Sequence, residues 1–164
     1  MAAMDEQLHK GVGAAIGRIP SGLFILTAQH EDQRTGMLVS WVQQVCFEPP
    51  TVCVAIGKGR PILPFISESR RFALCQLPKG DRILLKRFAS GVEPGEDPML
   101  GLDMVGGTVT GVPVMSAALA YLECELVSHL DVDGDHDLFV GRVVGGGFMG
   151  GEPDVRVRTD GFIY

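Results

Sequence analysis

Residues 57–60 read Gly-Lys-Gly-Arg, a spacing suited to holding a phosphate. The glycines free backbone N–H groups to face one point, and Lys58 and Arg60 add two cations that can replace the water around a dianion. His136, within Gly-Asp-His-Asp at 134–137, is the histidine in the most chemical setting, at the start of a strand just past a tight turn. Its alternative role is to anchor that turn through hydrogen bonds. His9, His30 and His129 fall on a helix, a turn and a strand face without evident partners. The run DVDGDHD at 131–137 alternates aspartates as a calcium loop does. An EF-hand needs Gly at its sixth position and Glu at its twelfth, however, and counting from Asp131 these are His136 and Arg142. A solvated hairpin turn is the better expectation. Cys46, Cys53, Cys75 and Cys124 show neither CxxC nor Cys/His spacing, so no metal site and no disulfide framework is expected, and they read as small core residues. No GxSxG, HExxH or Walker A run is present.

These groups need a frame, and the apolar pattern predicts one rich in strands. Residues 5–17 carry Leu8, Val12 and Ile16 at four-residue spacing, a short helix weakened by Gly11, Gly13 and Gly17. That GxGxxxG is not a dinucleotide fingerprint, since the spacing differs and no strand precedes it; close packing explains it better. GLFILTAQ after Pro20 reads as a strand, HEDQRTG as a polar turn, and GMLVSWVQQVCF as one long second strand ended by Glu48, Pro49 and Pro50. TVCVAI is apolar throughout and predicts a strand buried on both faces. Pro61 opens a helix to about Ser69, RFALCQL is a further strand, and DRILLKRFA is a short helix capped by Asp81 or by the preceding loop. Residues 90–107, rich in Gly, Pro, Glu and Asp, read as a mobile surface loop long enough to be a lid or contact loop. Leu122, Cys124 and Leu126 then alternate with Glu123 and Glu125, a strand with one exposed side, and HDLFVGRVVGGGF returns across the DVDGD turn. The tail DVRVRTDGFIY is a last short strand or an arm. At least six strands, with helices inserted late, predict a small antiparallel barrel rather than a doubly wound parallel sheet.

With 164 residues, 46% apolar and 21% charged, one domain over 1–164 with a real core is expected. The net charge is −6, but residues 58–87 hold eight of the fourteen basic residues against two acids, Glu68 and Asp81. A small anionic ligand suits that asymmetry better than nucleic acid, which the acidic remainder and the scarcity of Trp and Tyr disfavour. No apolar run of eighteen residues occurs, and the N-terminus has acids where a signal peptide has bases. A soluble, cytoplasmic protein with no membrane partner is the expectation.

The long run GMLVSWVQQVCFEPPTVCVAIGKGRP at 36–61 also carries a resemblance, together with PSGLFILTA at 20–28, LLKRFA at 84–89, ALAYLECEL at 118–126 and GDHDLFVGRV at 134–143. These runs, in order, resemble the flavin reductase-like proteins with the FMN-binding split barrel, and within them the flavin reductase domain at the C-terminus of diflavin flavoproteins. The resemblance implies a mainly β fold with short α-helices, an antiparallel split β-barrel that is typically homodimeric. It implies FMN as cofactor, FAD being the alternative, and NADH or NADPH as the electron donor. Hydride would pass from nicotinamide C4 to flavin N5, with orientation and electrostatics supplied by the protein. Met37, Ser40, Trp41, Val42 and Gln43 would meet the flavin. Trp41 would stack on its ring or fill the core at a dimer interface. Ala55, Ile56 and Gly57 would line the ring or ribityl chain, Lys58 and Arg60 would face the phosphate, and Lys86 or Arg87 would reach it as well. Phe88 would cover the flavin or belong to the core, and His136 would lie near the flavin or the nicotinamide. Gly57–Arg60 departs from the Ser/Thr-bearing loop of many relatives.

Two other classes stay open at this point. One is an FMN-binding electron carrier that serves a redox-protein partner without NAD(P)H activity. The other is a non-catalytic binder on the same barrel, since fold alone does not settle function.

Overall fold

The computed structural model describes residues 5–164. Helix α1 (Glu6–Gly17) starts where the Asp5 carboxylate accepts from the Leu8 N–H at 2.9 Å. Strands β1 (Phe24–His30) and β2 (Gln33–Val39) form a hairpin; β3 (Val42–Cys46) and β4 (Thr51–Gly57) follow. Helix α2 (Ile62–Ser69), β5 (Arg71–Gln76) and α3 (Arg82–Ala89) come next, α3 being capped by Asp81, one of the two caps its sequence allows. A small two-stranded sheet, β6 (Met104–Gly106) and β7 (Pro113–Met115), precedes the long hairpin β8 (Ala120–Asp131) and β9 (His136–Phe148).

Seven strands pair antiparallel in the order β2-β1-β5-β8-β9-β4-β3. The two edge strands of this sheet, β2 and β3, are consecutive in the chain and joined through Ser40 and Trp41 alone. Two residues span only ~7 Å, so the sheet has to curl until these edges approach one another. The sequence predicts one continuous strand over 36–47; it breaks at Ser40–Trp41 because the two halves serve opposite edges. The polar turn is also shorter than expected. β2 already starts at Gln33, with Glu31 in the left-handed region at φ 54°.

Two apolar clusters lie on the two faces of the sheet. Leu26, Val54, Ile56, Ile66, Phe72 and Phe139 build one beneath α2, whereas Ile25, Cys75, Leu77, Leu84, Phe88 and Met99 build the other beneath α3. β4 corrects its prediction: Val52, Val54 and Ile56 are buried, but Cys53, Ala55 and Gly57 on the other face are only half-buried. Small residues alternate with large ones there, which is the sequence pattern of a strand facing a cavity.

Three further corrections bear on the site. Glu123, expected on an exposed face, is fully buried at 0% exposure, because its carboxylate accepts from the N–H groups of Val109 and Thr110 and from the Thr110 hydroxyl. The loop over 90–107 is pinned rather than loose. Met99 is buried, Arg34 pairs with Asp97 at 2.9 Å, and Arg87 donates to the carbonyls of Pro98 and Leu100. Of the cysteines, Cys75 and Cys124 are core residues, Cys53 is half-buried and Cys46, on edge strand β3, is exposed. Burial pushes the Cys75 thiol up to about 11 and Cys124 up to about 12, the charge of Glu123 adding to the latter.

Candidate functional site

A cavity of about 380 Å³ opens where β2 ends, β4 ends and α3 finishes. Its size falls in the ~300–1,000 Å³ range of small-molecule sites. One wall is Met37, Val39, Ser40 and Trp41, a second is Ala55 and Gly57, and Ile62, Phe88 and His136 complete it with Arg60 and Tyr164 at the sides. The link Ser40–Trp41 is tied to β4 by the Ala55 N–H, which donates to the Trp41 carbonyl at 3.0 Å. Gly57 pairs in register with His136, and a Cβ there would stand 3.4 Å from Arg60 Nε and 3.8 Å from His136 Nε2. Glycine therefore keeps this corner open.

Arg60 has no carboxylate within ion-pair distance among the described residues, and the N–H groups of Gly59 and Arg60 make no hydrogen bond there. Gly59 takes the left-handed conformation at φ 78°, as a turn that presents successive N–H groups requires. Lys58 points elsewhere. Its ammonium lies 3.0 Å from Asp131 and 3.5 Å from Asp137 on the β8–β9 hairpin, and its N–H donates to the Asp135 carbonyl. The hydrogen bond to Asp131 raises the Lys58 pKa and lowers that of Asp131.

His136 Nδ1 lies 2.8 Å from Asp135 Oδ1, and Nε2 lies 3.3 Å from the Tyr164 hydroxyl. An ionised carboxylate only accepts, so Nδ1 carries the proton, and in the neutral ring Nε2 accepts from Tyr164. The hydrogen bond from His136 holds the Asp135 carboxyl below its ordinary value. Trp41 packs on His136 with centroids 4.9 Å apart and stacks on Tyr164 at 5.5 Å. His129, predicted to lack a partner, bonds Asp137 at 2.8 Å and stacks on Phe139, away from this cavity.

Of the residues singled out in the sequence, Met37, Ser40, Trp41, Ala55, Gly57, Arg60, Phe88 and His136 meet around the cavity. The others do not line it. Ile56 faces the core on the opposite side of β4, Val42 packs against that same core, and Gln43 and Lys86 are exposed. Arg87 holds the 98–100 loop. Sequence reasoning passed over Thr35, Ile62 and Tyr164; only the break at Ser40–Trp41 brings β2 beside α2, and only the path of the arm brings Tyr164 there.

The family described as "Flavin reductase like domain" matches residues 16–155. The chain belongs to the flavin reductase-like family. Diflavin flavoprotein A 1 of Synechocystis is 38% identical to this flavin reductase-like chain over 147 residues, covering 89% of the chain and 25% of that protein. The chain thus spans about a quarter of the curated relative's length. Flavin reductase PheA2 shares 27% identity at a TM-score of 0.76, with 94% of each chain covered. The NADH:FAD oxidoreductase SgcE6 of Streptomyces globisporus has a TM-score of 0.82 at 24% identity, with 96% and 93% covered, and so shares the fold.

The cavity fits a flavin of this family. A planar ring would meet apolar walls at Met37, Val39, Ile62 and Phe88, and an anion would meet Arg60 and the 59–60 turn across the corner at Gly57. Among the described residues, no group of three or more His, Cys, Asp or Glu is arranged to hold a metal, and no helix is long and apolar enough to cross a membrane.

Proposed function

We propose that the chain is an FMN-binding oxidoreductase that reduces its flavin with NADH or NADPH. The observation that carries this reading is the junction of an apolar slot with Arg60, an arginine without a carboxylate partner, beside a turn with unengaged N–H groups. Arg60 and the 59–60 amides would hold the phosphate, while Met37, Ala55 and Phe88 would exclude water from the ring. Trp41 and His136 would border the face that the donor approaches, with Asp135 fixing the tautomer of His136 so that Nε2 accepts a hydrogen bond. The bound flavin would supply the hydride acceptor; the chain's part is to orient and desolvate. The NADH:FAD oxidoreductase SgcE6 supports a nicotinamide donor by its name, and flavin reductase PheA2 supports flavin reduction by its own.

The curl forced by the Ser40–Trp41 link supports a split barrel over the whole chain, acting as one flavin-binding unit. A homodimer is part of the same reading. Phe47 is 90% exposed and Phe148 75%, apolar surface that a second copy would cover.

The test is the visible spectrum of the purified protein before and after anaerobic addition of NADH. Flavin bands that bleach are expected. Bands that persist would make the chain an electron carrier for a redox partner, and a colourless protein that takes up no added FMN would overturn the reading.

A further inference from the structure

Arg156 and Arg158 stand two residues apart on the arm that follows β9, and their partners differ. Arg156 is held by Asp154 through two hydrogen bonds of 3.0 Å, Nε to Oδ1 and Nη2 to Oδ2. Arg158 has no carboxylate within ion-pair distance among the described residues. Its Nη1 donates to the carbonyls of Gly161 at 3.3 Å and Ile163 at 2.9 Å, and no other side-chain nitrogen of it has a protein acceptor there. The guanidinium carbon lies 5.3 Å from the centre of the Trp41 ring and 5.8 Å from that of Tyr164.

The arm is fixed where it presents this group. The Arg158 N–H donates to Gly17 of α1 at 2.7 Å, the Gly161 N–H to Gly13 at 2.6 Å, and Arg156 bridges Ser21. A half-buried guanidinium is thus oriented by two carbonyls and two aromatic rings, with one edge free and no counter-charge. Such a group binds planar or tetrahedral oxyanions with directional N–H donors. Burial raises the Tyr164 pKa, and the charges of Arg158 and Arg60 both oppose that rise.

Arg158 does not line the flavin cavity, whereas Trp41, on which it rests, does. An anion held by Arg158 would lie beside the flavin cavity, next to the Trp41 ring. We propose that Arg158 seats the diphosphate of the nicotinamide dinucleotide, which makes it a binding residue for the electron donor and not for the flavin. The inference rests on the flavin reductase reading above, and the 59–60 turn keeps its separate role toward the flavin phosphate.

The test measures two affinities on each protein: FMN by flavin fluorescence quenching, and NAD+, the unreactive oxidised dinucleotide, by calorimetry on the FMN-loaded form. Arg158→Gln keeps an amide donor for the two carbonyls but removes the charge. It is expected to bind FMN as the parent does and NAD+ about tenfold more weakly, the size of one charge-assisted hydrogen bond at a half-exposed position. Unchanged NAD+ affinity, or an equal loss of both affinities, overturns the proposal. A second measurement needs no variant: in the parent protein nicotinamide riboside, which lacks the diphosphate, is expected to bind more weakly than NAD+, and NAD+ binding is expected to weaken with added salt. Equal affinities for the two would overturn the proposal, whereas a parent protein that takes up no FMN would instead remove the flavin reading on which it stands.

Discussion

The Lys58 ammonium lies 3.0 Å from the Asp131 carboxylate, across the mouth of the β8–β9 hairpin and off the cavity that Arg60, two residues on, helps to line. The pair divides the work of a loop that looks doubly cationic in sequence. Lys58 pairs with Asp131 and lies beside Asp137, and its N–H is engaged by Asp135, so neither its side chain nor its amide is free for a phosphate. Arg60→Ala is therefore expected to weaken FMN binding roughly tenfold, while Lys58→Ala changes it by less than about twofold. Fluorescence titration of both variants checks this, and equal losses would show that the loop acts through its summed charge.

Trp41 is the single tryptophan of the chain and forms part of the cavity wall. Its emission is thus a reporter of that wall alone. Titration with FMN is expected to quench most of it, saturating at the same concentration as the loss of free-flavin fluorescence. Trp41→Phe should abolish the protein signal and retain FMN binding, since another ring can fill the same wall with less area. A ligand that quenches flavin fluorescence without touching Trp41 would place the flavin elsewhere.

How far the sequence revealed this site depended on whether the information was local. β1, β5, α2 and α3 follow from runs of apolar residues with turn or cap signals beside them, and of the two caps open for α3 it is Asp81 that serves. Gly57, Arg60 and His136 stood out by position, the first two in a glycine-spaced cationic loop at the end of a strand and the third just past a tight turn. The break at Ser40–Trp41 left no local mark, because both halves of GMLVSWVQQVCF suit a strand and only the pairing of each half with a different neighbour requires a corner. Glu123 misled for the same reason. Alternation with Leu122 and Cys124 announces a two-faced strand, but not that residues 107–110 will fold over the polar face. Arg158 and Tyr164 are placed by the course of the arm along α1, a contact across the whole length of the chain.

Glu123 is a buried carboxylate enclosed by the 107–110 turn, with Gly107 and Gly145 leaving room for it where a Cβ would collide. Burial raises its pKa, and the hydrogen bonds from Thr110, Val109 and Thr108 more than offset this, so the net shift is downward. The folded state thus favours the ionised form. The stabilisation is complete above the unfolded value near pH ~4.3 and is lost as pH falls through the lower folded value. Glu123→Ala leaves the Val109 and Thr110 amides without an acceptor and is expected to cost ~3 kcal/mol, read from chemical denaturation at pH 7. The same measurement near pH 4 should show a smaller difference between parent and variant; a difference independent of pH would mean that packing and not charge holds the turn.

Gly17 on α1 offers a test in which two effects have opposite signs. By helix propensity alone, Gly→Ala in a helix stabilises by ~1 kcal/mol. Gly11 meets that expectation, since nothing lies within 4 Å of a Cβ built there. At Gly17 a Cβ would overlap the Arg158 carbonyl oxygen and approach Asp160 N at 3.2 Å, and these are backbone atoms that cannot rotate aside. Gly11→Ala is therefore expected to stabilise the protein, and Gly17→Ala to destabilise it or to lift the arm from α1. Hydrogen exchange separates the two results: the Arg158 amide, bonded to the Gly17 carbonyl at 2.7 Å, should exchange faster in Gly17→Ala and unchanged in Gly11→Ala. If the arm carries Arg158 to the donor side of the site, the same Gly17→Ala variant should lose more NAD+ affinity than FMN affinity, the FMN loss being confined to the contact of Tyr164, which ties the packing of Gly17 on the first helix to binding of the electron donor.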